Sequence, residues 1–145
     1  MAIIQGMCVS FKRQLLEAVH DFRVAGDTFK IALYSEAANI GPQTTEYTVD
    51  GEITGAGYTA GGLVLVNVAP VSMGISGIAG FANPSWVSAT FSARGALIYN
   101  TTPSHTYSNP ACIVLDFGIT RSVNNQTFSV IMPSLTDANA IVRIT

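Results

Sequence analysis

Residues 55–68 read GAGYTAGGLVLVNV, and the fold class turns on what these glycines do. Gly55, Gly57 and Ala60 stand at the G-x-G-x-x-A spacing that, between a strand and a helix, cradles a pyrophosphate. Such a site needs the glycine turn to open a helix, because the helix N-terminus supplies unpaired N–H groups and a favourable dipole. Here the turn opens LVLVNVAP, where β-branched residues alternate with leucine and a proline closes the run. That is a strand pattern. The acidic residue that would hold a ribose about 20 residues on is missing, and no Gly-Lys-Ser/Thr follows for a phosphate loop. The glycines are therefore expected to allow positive φ at a turn or close backbone packing.

The same region carries the most unusual feature of the composition. Charged residues are 11% of the chain, against about 25% in an ordinary soluble protein. From Ile53 to Ala93 there is no Asp, Glu, Lys, Arg or His. Gly, Pro, Ser, Thr and Asn interrupt the run every few residues, so no stretch of about 20 apolar residues is present to span a bilayer, and no membrane role is expected. One reading is a sheet with Thr, Ser and Asn on its wet face. The other, which the shortage of solubilising charge favours, is that other chains cover part of this surface. A net charge of −2 with scattered Lys and Arg offers no electrostatic footprint for nucleic acid.

At 145 residues the chain reads as one domain over 1–145, long enough to bury roughly 70% of its unfolded surface. Residues 9–23, VSFKRQLLEAVHDFR, place Phe11, Leu15, Ala18, Val19 and Phe22 on one stripe, which predicts an N-terminal amphipathic helix with Ser10 as N-cap and Gly26 beyond its end. Everything after it reads as β. Alternation or apolar runs predict strands at 28–34, TTEYTV at 44–49, 63–68, 76–81, 88–91, 96–99, 111–117, 127–132 and 140–144, with turn residues between most of them and SVNNQ as a hairpin connection. ACIVLDFG and TFSVIMP are apolar on both faces, as strands covered on both sides would be. The expected fold is mainly β, a single antiparallel β-sandwich of jelly-roll-like kind, with one N-terminal helix.

The N-terminal MAIIQGMCVSFKRQ shows no basic leader, and Lys12 and Arg13 arrive too early for a secretory apolar core, so no export signal is expected. The sequons at Asn100 and Asn125 then carry little weight. Cys8 and Cys112 lack metal-like spacing and are expected to be free thiols in a reducing compartment. The catalytic inventory is thin. His20 falls near the predicted helix end, where a protonated imidazole suits the dipole. His105, Cys112 and Asp116 could be assembled into a nucleophilic site, but nothing in their spacing marks a nucleophile and its base, and structural roles are expected. Asp116, between Leu115 and Phe117, is expected to pair with Arg94 or Arg121. No metal or cofactor set is recognisable. Trp86 reads either as core or as a stacking platform and partner anchor, and a lone tryptophan among β residues is more often core.

Several segments together, CVSFKRQLLEAVHDF, DTFKIALYS, TTEYTVDGEITGAGYTAGG, FSARGALIYN, ACIVLDFG and DANAIVRI, resemble a family of small virion structural proteins of tailed bacteriophages. The resemblance runs in order over nearly the whole chain. It implies a non-enzymatic particle component made in the host cytoplasm, a capsid decoration or cement protein bridging capsomers, with the major capsid protein or other virion proteins and further copies of itself as partners. No catalytic, cofactor or metal residue comes with it. Trp86, Tyr99, Tyr107, Tyr58 and Phe81 are the candidate contact residues. The competing role is a tail, head-tail connector or fibre component that meets a receptor or glycan through its aromatics and Asn/Ser/Thr loops. A cell-wall hydrolase centred on His105 is the third and weakest reading, since no acid/base pair is visible.

Overall fold

The computed structural model describes residues 2–104 and 106–145. Its elements, in chain order, are β1 (Gly6–Met7), α1 (Val9–Leu16), β2 (Phe29–Tyr34), β3 (Leu63–Val64), β4 (Asn67–Met73), β5 (Ser76–Phe81), β6 (Ser85–Asn100), β7 (Ala111–Ser129) and β8 (Val142–Ile144). The fold is mainly β. A five-stranded antiparallel sheet has the order β1-β7-β6-β2-β3, and a three-stranded one the order β4-β5-β8. The two sheets share one hydrophobic core, which makes the fold sandwich-like. Consecutive strands β4–β5 and β6–β7 pair directly, and these unequal sheets do not by themselves make a jelly roll.

The core is built where the sequence is most apolar. Phe29, Ile31 and Leu33 of β2 are fully buried, and so are Ala32 and Tyr34, so this strand is covered on both faces rather than wet on one. Phe81 of β5 meets Phe29 at a ring-centroid distance of 5.4 Å, and Phe22 stacks on Phe29 at 4.6 Å. This aromatic stack ties the smaller sheet to the larger.

The predicted helix over 9–23 is shorter, ending at Leu16. Cys8, extended at φ −65° and ψ 140°, is the N-cap residue, and it makes no side-chain cap. Ser10 lies inside the helix instead, with Oγ buried and unpartnered. Helical bonding stops where Ala18 adopts φ 58°. Beyond it the polar side chains bind locally: Asp21 accepts from Arg23 N at 3.0 Å, and Asp27 Oδ2 accepts from Asp21 N at 2.9 Å. Short acidic side chains that satisfy nearby N–H groups compete with the helix. Val19 and Phe22 still reach the core, but from a loop.

β6 and β7 are long strands where the sequence suggests four short ones. The SVNNQ hairpin does not form. Asn125, at φ 50°, is the extra residue of a bulge between the pairs Thr90↔Asn124 and Ala89↔Gln126, and its N–H donates to Thr90 Oγ1 at 2.9 Å. A second bulge separates Gly95↔Asp116 from Ala93↔Arg121, with Gly118 at φ 79°. Bulges bend a ribbon without ending it. TFSVIMP is also corrected: Phe128, Val130 and Met132 are buried while Ser129 and Ile131 face out, so only one face is covered. The 63–68 strand splits into β3 and β4, and TTEYTV contributes only the isolated bridge Glu46↔Pro110.

The glycine loop of 55–62 is a turn packed on the sheet. A Cβ at Gly55 would lie 2.5 Å from Thr90 O, and one at Gly62, where φ is 82°, only 1.7 Å from Ile31 O. Positive φ and close backbone approach both hold here, as the strand reading requires.

Candidate interaction surfaces

The five candidate contact residues lie in different surroundings. Trp86 is 2% exposed and packs edge-on against Phe91 and Phe128, with Nε1 buried and unpartnered. Phe81 belongs to the aromatic stack, and Tyr99 is buried on Tyr47 with its hydroxyl donating to Gly61 O at 2.6 Å. These three are core residues and present no face to a partner. Tyr58 is half-buried. Tyr107 is also half-buried, and its hydroxyl donates to Glu17 at 2.9 Å near the end of α1.

Tyr58 belongs to a polar cluster that pins the glycine loop. Glu52 accepts from Tyr47 OH at 2.6 Å, from Tyr58 OH at 2.6 Å and from Gly61 N at 2.7 Å, while Tyr58 OH accepts from Leu33 N at 2.9 Å. Burial raises the phenol pKa values of Tyr47 and Tyr58, and the bonds to the carboxylate raise them further. Burial also holds Tyr99 up at about 12. The phenols stay protonated donors.

A second network joins residues far apart in sequence. His20 Nε2 lies 2.8 Å from Gln14 Oε1, and its Nδ1 lies 3.0 Å from Asn100 Nδ2, which also donates to Asp27 Oδ2 at 2.8 Å. An amide N–H at Nδ1 makes that nitrogen the acceptor, so the imidazole proton sits on Nε2 and donates to Gln14. Burial lowers the His20 pKa to about 4 against a smaller opposing pull from Asp27. The protonated imidazole expected at a helix end is therefore replaced by a neutral, half-buried one. Cys112 Sγ stands 4.0 Å from His20 Nδ1, and burial pushes its thiol well up. A nucleophilic cysteine beside histidine needs the opposite pair of shifts. Cys8, also free and buried, is raised to about 11. Asp116 bonds Arg94 Nε at 3.0 Å, as one of the two expected pairings has it, and no salt bridge joins it to Arg121. His105 lies outside the described residues.

The outer surface has three distinctive regions. The outward face of the β6–β7 ribbon is a ladder of uncharged polar residues interrupted by the exposed Val87, with Ser92 and Ser122 sharing a hydrogen bond at 2.7 Å, Ser85 and Ser129 another at 2.7 Å, and Thr90 opposite Asn124. Here the wet-face reading of the charge-poor run holds. Beside the other face runs a groove of about 600 Å³ lined by Leu115, Phe117, Val123, Phe128, Ile131 and Arg121. It follows the outer edge of β7, where among the described residues only β1 pairs, at Ile113 and Val114, and none of them forms a strand beside 118–129 on that side.

The third region is the β4–β5 hairpin. Its turn carries Gly74 at φ 57° and Ile75, which is 87% exposed. Val71 and Met73 stand exposed beside it, and β4 is an unpaired edge. Exposed aliphatic side chains at a turn whose own residues carry no charge make an apolar projection. The sequence marks this segment by its missing charge, but the groove is assembled from 115–131 by tertiary packing and leaves no comparable signature.

Among the described residues no cluster of three His, Cys, Asp or Glu is placed to hold a metal ion, and no helix is long and apolar enough to cross a membrane. Comparison of the chain with protein-family models, with curated proteins and with solved structures finds no match.

Proposed function

We propose that this protein is a non-enzymatic structural component of a tailed-bacteriophage particle, a decoration or cement protein that docks on the head and bridges capsomers. One observation carries the reading: the β4–β5 hairpin exposes Val71, Met73 and Ile75 within a run of residues that contains no charged side chain. Such a surface is stabilised by being covered. The segments that resemble small virion proteins supply the identity of the cover, a viral shell assembled in the host cytoplasm.

The mechanism follows from burial. Apolar and Ser/Thr-rich faces shielded between neighbouring subunits must be re-exposed to water when a shell opens, which raises the cost of rupture. Repetition over a symmetric shell lets individually weak contacts add through effective concentration. Particles that lack the protein should release their genome at lower temperature or on dilution of salt, measured as DNA accessible to dye. Equal release from particles with and without it would overturn the cement role.

The Ser/Thr/Asn ladder on β6 and β7 favours a second reading, a tail or fibre protein whose uncharged hydroxyl and amide face meets a glycan. Labelled protein spread over the head supports the first reading. Label confined to the tail supports the second.

A further inference from the structure

We infer that the β4–β5 hairpin of one copy seats in the β7 groove of a second copy, with Asp137 of the first paired to Arg121 of the other. The inference stands on the surfaces of this chain and does not require the second component to be viral.

The two surfaces match in polarity and charge. The hairpin turn is exposed, with Met73 and Ile75 at its end. The groove is concave and floored by Leu115, Phe117, Val123 and Phe128. Each also borders an unpaired strand edge, β4 in one case and residues 118–129 in the other. An open edge has backbone N–H and C=O groups directed outward, and two such edges can satisfy each other.

The charges select the occupant. Five charged side chains lie beyond Ile53: Arg94, Asp116, Arg121, Asp137 and Arg143. Arg94 and Asp116 pair with each other, and Arg143 donates to the backbone carbonyl of Asp137 at 2.7 Å. That leaves the Arg121 guanidinium and the Asp137 carboxylate without an ionic partner among the described residues. They have opposite signs and flank the two surfaces in question. Arg121 lines the groove, and Asp137 Oδ2 lies 2.7 Å from where a Gly74 Cβ would be, against the hairpin turn. A second copy offers to each surface an apolar cover and the charge it lacks. The contacting patches differ, so the contact joins unlike surfaces of like chains.

Sedimentation velocity of the full purified chain over a range of concentrations tests this. The wild type should associate. Arg121→Asp and Asp137→Arg should each weaken association about tenfold or more, since each sets like charges face to face. The double variant should recover most of it. An equimolar mixture of the two single variants should also associate, because the reversed groove of one then meets the reversed hairpin of the other. Both positions are exposed, and an unchanged thermal melt checks that the fold survives; Ile75→Asp, at an exposed turn, gives an independent loss of association. A wild type that stays monomeric overturns the inference. So does association that neither charge reversal changes, since another surface would then be responsible. A protein that associates as described but does not bind phage particles keeps this inference and removes the proposed function. One that binds particles while its charge-reversed forms associate unchanged does the reverse.

Discussion

At the scale of single residues, His20 shows how much of the molecule's chemistry depends on burial. Held between Gln14 and Asn100, its imidazole stays neutral down to a pKa of about 4 in the folded protein. In an unfolded chain it titrates near ~6.5. Between those values the unfolded chain binds a proton that the folded one refuses, so the contribution to stability is complete above the unfolded value and is lost as pH falls towards 4. Denaturant melts of the wild type should therefore lose stability from about pH 6.5 downward, and His20→Gln should flatten that part of the profile. An equal slope in both proteins would mean that the imidazole is not held neutral. None of this network is legible in the sequence, because Gln14, His20, Asp27 and Asn100 meet only after β6 has folded against the N-terminal loop. The glycines behave differently. Gly62 could be read as a turn residue from its neighbours, and its missing Cβ leaves room for Ile31 O.

At the scale of elements, periodicity located the apolar residues more reliably than it located their secondary structure. Of the predicted stripe, Phe11, Val19 and Phe22 are buried, Leu15 is half-buried and Ala18 is exposed, and only Phe11 and Leu15 lie on α1. The stripe reports most of the side chains that face inward. It does not report that Asp21 and Asp27 will bind local N–H groups and stop the helix. The stop itself is strained, since Ala18 sits at φ 58°. A left-handed backbone costs a residue with a Cβ roughly 1–2 kcal/mol that glycine avoids, and the position lies outside the helix, where glycine carries no helical penalty. Ala18→Gly is expected to raise the melting temperature, and a fall would show that helix continues through this position in solution. The missed continuity of β6 and β7 has the same kind of origin. Asn124 and Asn125 carry the composition of a turn, but a bulge uses the same left-handed conformation, and only the partner strand distinguishes the two. In contrast β5 occupies 76–81 as its residues alone indicate.

At the scale of the whole molecule, the shortage of charge becomes a statement about surface. The polar ladder of β6 and β7 replaces charge with hydroxyl and amide groups, which keeps that face wet. The β4–β5 hairpin has no such replacement. Aromatic residues drew attention in the sequence as possible anchors, yet Trp86, Tyr99 and Phe81 are occupied in the core, and the exposed apolar surface is aliphatic. A sequence alone ranks residue types by their general habits and cannot show which ones the fold has already used. The central claim, that neighbouring molecules complete this surface, is tested most directly by hydrogen exchange on the dilute free chain and on the concentrated, assembled one. Protection should appear in 69–77 and 117–131 on assembly and leave the loop of residues 35–50 unchanged. Exchange identical in the two states, or protection confined to other segments, would contradict it.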